Sequence, residues 1–242
     1  MKKLPLDAIE KLAEKFRADN DYSQTEPIHT KTILRQLGIL AVYRPLSKEA
    51  HGMSLKAKSG HCFMLINSNN SRGRQHFTIA HELFHLFIDD NPIPHICSQD
   101  GYKDASEKNA DLFASALLMP RSGILKMIPT EDMAAGNISL STILRIEQYY
   151  GVSRSSLLYR LKDLKLIKEQ DLNKFLAMSP KITAFQYGYD TSLYQNGNTN
   201  LVIGDFGEKA RMLFENGKIS EGHYRELLNM ISNGQNEDST GC

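Results

Sequence analysis

The segment His81-Glu82-Leu83-Phe84-His85 combines two imidazoles and a carboxylate at a spacing that suits metal chemistry. Residues four apart on a helix lie about 40° apart around its axis and roughly 6 Å apart along it, so both imidazoles can face one ion. Glu82 lies about 100° further round, beside such an ion but outside the ligand pair. A carboxylate in that position can take a proton from an activated water molecule. The spacing therefore predicts the HExxH site of a zinc peptidase.

A catalytic zinc ion usually has three protein ligands and keeps its fourth position for water, so the two imidazoles need a third partner. Glu107 lies at the start of the next predicted helix, which can double back onto the helix of His85. We therefore predict Glu107 as the third ligand. Asp111 lies one helical turn further on the same face, where its carboxylate can accept a hydrogen bond from a ligand imidazole and fix its tautomer. Rival third ligands are Asp89, Asp90, His95, Cys97 and Asp104.

An apolar run of strand length comes shortly before the predicted catalytic helix and consists of Cys62, Phe63, Met64, Leu65 and Ile66. If this strand lies at the edge of a sheet, a substrate strand can pair with it by β-addition. A strand in the core explains the same run equally well. Peptide hydrolysis also requires a donor to the oxyanion. The candidates for this donor are His95, Tyr102, Tyr149, Tyr150 and Tyr159.

The elements that must position these side chains follow from hydrophobic periodicity and from turn signals. Together they predict an α+β fold that is mainly helical and contains a small mixed sheet. Residues 95–104 are predicted to be irregular. The predicted helices span residues 6–18, 30–37, 76–88 and 105–119, and the predicted strands span residues 39–43, 52–56 and 62–66.

Beyond Pro129 the composition changes, and residues 139–164 have the pattern of a helix-turn-helix segment. Gly151 suits the end of the first helix, Val152 can fill the angle between the helices, and Ser153 can cap the second helix. Basic residues are only in modest excess in this part of the chain. DNA binding is therefore possible but not favoured.

The C-terminal part of the chain carries no recognisable motif and predicts a small α+β region. Residues 181–200 show no clear periodicity, residues 201–206 suit a strand, and residues 207–215 and 220–231 suit two short helices. We predict four parts of the chain: a metallopeptidase domain over 1–130, a helix-turn-helix segment over 131–172, a small C-terminal region over 173–232 and a flexible tail over 233–242.

Composition excludes several classes of protein. The 242 residues include 29 basic and 28 acidic side chains, and the net charge of +1 argues against a general polyanion binder. The hydrophobic fraction of 41% excludes a wholly disordered chain. Cys62, Cys97 and Cys242 contain no CxxC pair, which indicates reduced thiols rather than a disulfide framework. No signal peptide and no run of about 18 apolar residues occurs, so we expect a cytoplasmic protein without a membrane partner.

Two segments together resemble the ImmA/IrrE family of metallopeptidases: Arg74 with Phe77-Thr78-Ile79-Ala80-His81-Glu82-Leu83 and His85, and Glu107 leading through Phe113-Ala114 to Leu117-Leu118-Met119-Pro120. The resemblance implies a zincin-like domain with a gluzincin-like site that holds one Zn²⁺ per chain. It implies His81, His85 and Glu107 as ligands and Glu82 as the general base. Phe84 stands where many members have glycine, and we expect its ring to narrow the cleft.

By this resemblance the protein would be a zinc endopeptidase whose substrate is a helix-turn-helix transcriptional repressor of a prophage, mobile element or stress-response locus. A further protein could act as its activator. Two alternatives remain open. The protein could be a DNA-binding regulator with a structural or vestigial metal site, or a toxin-like protein that a repressor-type partner neutralises. Retention of Glu82 favours the peptidase, because a structural zinc site needs no general base.

Overall fold

The computed structural model describes residues 2–89, 95–98 and 105–232. Within these residues one mixed sheet is surrounded by helices. The strands are β1 (Ile39–Arg44), β2 (Ala50–Lys56), β3 (Cys62–Asn67), β4 (His95–Ser98) and β5 (Val202–Ile203). The helices are α1 (Leu6–Asp19), α2 (Thr30–Gln36), α3 (Arg72–Phe87), α4 (Ala105–Leu118), α5 (Arg121–Met127), α6 (Thr130–Ala135), α7 (Leu140–Tyr150), α8 (Arg154–Asp163), α9 (Glu169–Leu176), α10 (Pro180–Gln186), α11 (Phe206–Glu215) and α12 (Glu221–Ser232), with a short 3-10 helix at Ser192–Tyr194.

The sheet has the strand order β4-β2-β3-β1-β5, which puts β3 at its centre. β3 pairs in parallel with β1, with Cys62 opposite Ile39, and antiparallel with β2, with Met64 opposite Ser54. β2 pairs antiparallel with β4, and β1 with β5. The expectation of a small mixed sheet is therefore confirmed.

Helix α3 lies against β2, and a glycine allows the close approach. A Cβ atom added at Gly52 would lie 2.6 Å from the side chain of Thr78. Helix α4 packs against α3, and its small residues Ala110 and Ala114 are fully buried. Small side chains on a buried helix face let two helices come close.

The predicted helix-turn-helix pattern is present as α7, a tight turn and α8. Gly151 ends α7 in the left-handed region with a φ of 63°, and Ser153 caps α8 by accepting a hydrogen bond from the Ser156 N–H. Val152 is fully buried in the angle between the two helices. The predicted roles of the three turn residues, to end α7, to fill the angle between the helices and to cap α8, are therefore confirmed.

Two buried arginines anchor helix α8, one to the N-terminal part of the chain and the other to α7. Arg160 donates to the carbonyl oxygen of Met119 over 3.0 Å and forms an ion pair with Glu10 on α1. Arg154 donates from Nη2 to Glu147 on α7 over 2.8 Å. Both guanidinium groups point into the protein, because they are 2% exposed or less.

Several predictions about elements were wrong. Residues 95–98 form β4 instead of an irregular segment, because pairing with the distant strand β2 stabilises a strand whose own sequence gives little signal. Residues 181–200 show no clear periodicity, but α10 extends into them from Pro180, which occupies the first turn, where its missing N–H costs nothing. Helix α3 begins at Arg72 instead of residue 76, since its first turn is polar and hides the apolar period.

Among the residues that the structure describes, no helix combines the length and the apolar character that a membrane span requires. The boundaries predicted at residues 130 and 172 remain predictions. The predicted tail, residues 233–242, lies outside the described residues.

Candidate metal centre

The side chains of His81, His85 and Glu107 meet in the interior between α3 and α4. The two Nε2 atoms lie 3.3 Å apart. One Glu107 oxygen lies 3.4 Å from His81 Nε2, and the other lies 3.0 Å from His85 Nε2. All three residues are buried, and each offers one ligand atom to a group whose members lie within 4.8 Å of one another. The structure thus brings together the three residues that the sequence nominates.

The other nitrogen of each imidazole faces a carboxylate. His81 Nδ1 lies 3.0 Å from Asp111 Oδ1, and His85 Nδ1 lies 3.4 Å from Asp89 Oδ2. A carboxylate can only accept, so Asp111 and Asp89 can hold the proton of each imidazole on Nδ1. In that tautomer both Nε2 atoms present a lone pair beside the Glu107 carboxylate. Such a set of acceptors suits a cation.

The spacing of these atoms suits a tetrahedral metal ion. Ligand atoms held at about 2.0–2.2 Å from zinc in tetrahedral geometry lie about 3.3–3.6 Å from one another. The two Nε2 atoms lie 3.3 Å apart, and the two oxygens of Glu107 lie 3.4 Å from His81 Nε2 and 3.0 Å from His85 Nε2, close to that range. Among the described residues the donor set is two imidazoles and one carboxylate, which leaves the fourth position of a tetrahedral ion for water. Histidine and carboxylate donors at this spacing therefore fit a catalytic zinc site.

Glu82 is fully buried at the interface of α3 and the sheet. Its Oε2 accepts a hydrogen bond of 2.6 Å from Ser54 Oγ on β2. Its Oε1 has no hydrogen-bond partner within the described residues. An unsatisfied buried carboxylate oxygen is costly, and it commonly indicates an unseen water or ion. This carboxylate, which directly follows His81 on α3, therefore has one oxygen available for a water molecule.

The prediction that a substrate strand pairs with the run Cys62–Ile66 at an edge of the sheet is wrong. Cys62–Ile66 belongs to β3, which pairs with β1 on one side and β2 on the other. Both hydrogen-bonding edges of Cys62, Phe63, Met64, Leu65 and Ile66 are therefore occupied, and a substrate cannot add to them. Burial also raises the pKa of the Cys62 thiol, which makes it a less reactive group.

The expectation for Phe84 is also wrong. Its side chain is fully buried, and its ring packs 5.6 Å from the ring of Phe113 and 5.7 Å from the imidazole of His85. Phe84 lies in the core between α3 and α4 because a residue one position before His85 points about 100° away from it. It supports the ring of His85 from behind and does not narrow a cleft.

The candidates for the oxyanion donor differ in their hydrogen-bond partners and in their exposure. Tyr149 donates to Glu26, and Tyr150 donates to the carbonyl oxygen of Thr25 over 2.8 Å, so both hydroxyls are engaged away from the metal centre. Tyr159 is 53% exposed. His95 belongs to β4. Tyr102, together with the rival ligands Asp90 and Asp104, lies outside the described residues.

Tyr159 lines a cavity of about 310 Å³ between α3, α4 and α8. Arg74 and Phe77 of α3 form one wall, Asp111 of α4 another, and Ser156 and Tyr159 of α8 a third. Asp111 also holds the imidazole of His81. The exposed face of the second helix in the helix-turn-helix segment therefore faces a cavity that adjoins the metal centre.

Two residues with a part in this centre were missed or misjudged. Asp89 was considered only as a rival ligand, but it faces His85 Nδ1 and accepts a hydrogen bond from Ser106. Its position four residues after His85 was the available signal. Ser54 was not considered, because nothing near it in the sequence indicates that β2 lies beside Glu82.

A comparison with protein families gives a match to this chain. The peptidase M78 family, described as the IrrE N-terminal-like domain, matches residues 34–162, which is more than half of the chain. The chain belongs to this family. The match contains both helices of the metal centre and both helices of the helix-turn-helix segment. No curated protein matches the chain.

Membership of the M78 family confirms the resemblance to the ImmA/IrrE metallopeptidases and the α+β zincin-like fold. It identifies residues 34–162 as a metallopeptidase-like domain. A metal site is expected in such a domain, and His81, His85 and Glu107 are a possible site for it.

Proposed function

We propose that this M78 family member is a zinc-dependent endopeptidase that cleaves a regulatory protein, namely a helix-turn-helix transcriptional repressor. The observation that carries the proposal is the convergence of His81 Nε2, His85 Nε2 and the Glu107 carboxylate within 3.0–3.4 Å of one another. The orphan oxygen of Glu82 beside this group supports hydrolysis over a structural role. A site built only to hold a metal would be closed by four protein ligands.

In this proposal His81, His85 and Glu107 hold one zinc ion. Bound there, zinc would act as a Lewis acid that polarises the scissile carbonyl and lowers the pKa of its bound water. Asp111 and Asp89 keep the proton of each imidazole on Nδ1, so that both Nε2 atoms stay available. Glu82 takes a proton from the attacking water at Oε1 and passes it to the leaving nitrogen of the peptide.

The substrate is proposed to lie in the groove that the metal centre shares with the cavity beside α8. A peptide substrate can make both polar and aromatic contacts there, since hydroxyl, guanidinium, carboxylate and aromatic groups line the cavity. An extended peptide can add to β4, which pairs with β2 alone within the described residues. β4 therefore replaces β3 as the candidate for strand addition.

The DNA-binding alternative has less support. The second helix of a helix-turn-helix must present its side chains to the major groove. In α8, Arg154 and Arg160 are buried in ion pairs, and Ser156 and Tyr159 face the cavity. The segment is better suited to complete the peptidase cleft than to contact DNA. A repressor substrate implies a cytoplasmic site of action, and a separate activator protein is compatible with it.

The test is cleavage of a purified helix-turn-helix repressor by wild-type protein and by Glu82→Gln. We expect Glu82→Gln to bind one zinc ion per chain and to lose at least a hundredfold in cleavage rate, because general base catalysis typically contributes that much. Glu14→Gln, at an exposed position on α1, is the matched control and should cleave normally. Cleavage by Glu82→Gln at the wild-type rate would refute the proposed function.

A further inference from the structure

Helix α3 and strand β2 meet along a regular line of contacts, and Ser54 lies at its middle. Gly52 faces Thr78, Ser54 donates to Glu82, and Lys56 Nζ donates to the carbonyl oxygen of Leu86 over 3.2 Å. The strand advances by two residues from one contact to the next, and the helix advances by four. Two strand residues span about 6.6 Å and four helix residues about 6.0 Å, so the two repeats stay in step.

This register is fixed from both sides of the strand. β2 pairs with β3 and with β4, and Ser54 lies opposite Met64 in one and His95 in the other. Ser54 is 4% exposed and Glu82 is fully buried. Bulk water does not compete with Ser54 for Oε2 at such a position, so the protein sets the orientation of the carboxylate. The hydroxyl of Ser54 is the group that sets it.

The hydrogen bond makes the two oxygens of Glu82 different. Ser54 has a single proton to donate, and it goes to Oε2 over 2.6 Å. A bond of this kind from a hydroxyl to a carboxylate is among the stronger hydrogen bonds in proteins. Oε1 is left without a partner within the described residues. One oxygen is therefore anchored to the sheet, and the other remains able to accept a proton.

We propose that Ser54 is a positioning residue that anchors Glu82 through Oε2 and so keeps Oε1 available to a ligand at the metal centre. This inference rests on the proposed function, because it assumes that Glu82 acts on a group bound there. It goes beyond that function by assigning the orientation of the base to one hydroxyl on β2. The alternative is that Ser54 only satisfies a buried carboxylate and adds to stability.

The experiment uses the full-length, zinc-loaded protein and acetohydroxamate as the probe. A hydroxamate chelates zinc and shares its hydroxyl proton with a nearby carboxylate, so its affinity reports the placement of Glu82 without any need for a substrate. Zinc affinity, hydroxamate affinity by calorimetric titration and melting temperature are measured for wild type, Ser54→Ala, Glu82→Gln and the double variant. The matched control is Ser68→Ala, since Ser68 is equally buried and its hydroxyl has no partner within the described residues.

We expect Ser54→Ala to keep zinc affinity within about twofold and to weaken acetohydroxamate binding about tenfold, the usual effect of one hydrogen bond to a charged group. In the Glu82→Gln background, Ser54→Ala should change hydroxamate affinity less than twofold, because Ser54 acts through Glu82. A crystal structure of Ser54→Ala should show the Glu82 carboxylate rotated. Ser68→Ala should match wild type in every binding measurement.

Two results would overturn the inference. In the first, Ser54→Ala weakens acetohydroxamate binding equally in the wild-type and Glu82→Gln backgrounds. In the second, Glu82→Gln weakens acetohydroxamate binding but Ser54→Ala does not. Failure of the proposed function looks different, since Glu82→Gln would then leave hydroxamate affinity unchanged or the protein would bind no zinc. If Ser54→Ala does not fold, Ser54→Cys fills nearly the same space with a weaker donor. It should lose hydroxamate affinity while keeping zinc affinity, and wild-type hydroxamate affinity in that variant would contradict the inference.

Discussion

Replacement of Asp111 by asparagine tests how the metal centre controls its own ligands. Asp111 Oδ1 lies 3.0 Å from His81 Nδ1 and keeps the proton of the imidazole on that nitrogen. An asparagine of the same shape can present its NH₂ group instead, which favours the tautomer with the proton on Nε2. That tautomer cannot bind a metal through Nε2. Asp111→Asn should therefore lower the affinity for zinc while the ligand atoms remain in place.

The expected loss of zinc affinity depends on how exposed Asp111 and His81 are to solvent. Loss of such a carboxylate typically costs 10- to 100-fold in metal affinity, about 1.4–2.8 kcal/mol. The side chain of Asp111 is 30% exposed while that of His81 is 1% exposed, so solvent weakens the charge on one side of the pair only. We expect the lower end of the range, about tenfold, or ~1.4 kcal/mol.

The assay is competition for zinc against a chelating dye at constant pH and ionic strength. Asp19→Asn is the control, because Asp19 forms an exposed ion pair with Lys15 and such pairs contribute little. It should bind zinc as wild type does. Equal zinc affinity in Asp111→Asn and wild type would refute the argument that Asp111 sets the tautomer of His81.

Three further predictions concern stability and the cavity beside the centre. Burial raises the pKa of Glu147 and Arg154 opposes that shift, so Arg154→Ala leaves a buried carboxylate without its cation. The free energy of unfolding, measured by urea titration, should fall by about 3–5 kcal/mol. A loss below about 1 kcal/mol would contradict the buried ion pair. Burial lowers the pKa of His76 below its ordinary 6.5, so the unfolded chain binds a proton that the folded chain resists, and stability falls as the pH drops below 6.5. His76→Gln should show a shallower fall between pH 6.5 and about 5 in denaturant titrations, and an unchanged slope would contradict this. Tyr159→Ala should raise KM for repressor cleavage several-fold without changing zinc affinity, and an unchanged KM would remove α8 from the substrate cleft.

Much of the candidate centre could be predicted because its information is local. The spacing of His81 and His85 lies within one helix, and small residues after Glu107 indicate close packing of the next helix. Helical geometry alone then brings these side chains to a common side. Helices α3 and α4 and strands β1, β2 and β3 were predicted for the same reason, since each has an apolar pattern or a turn signal, whereas β4 has neither.

What could not be predicted depends on contacts between distant parts of the chain. The central place of β3 results from its parallel pairing with β1, which the apolar run of β3 does not reveal. Arg160 belongs to the modest basic excess of the helix-turn-helix segment, but it is buried in contacts with Glu10 on α1 and with the Met119 carbonyl, which the sequence does not reveal. Ser54 acquires its contact with Glu82 only when β2 lies against α3.

The central claim is that two imidazoles and one carboxylate hold a single metal ion with a position left for water. Anomalous diffraction at the zinc absorption edge, from zinc-loaded crystals of wild type and of Glu107→Ala, tests it most directly. The wild type should show one peak about 2.0–2.2 Å from His81 Nε2, His85 Nε2 and a Glu107 oxygen, with no fourth protein ligand, and Glu107→Ala should lose most of that peak. Absence of a peak between these side chains, or a fourth protein ligand that closes the site, would contradict the claim.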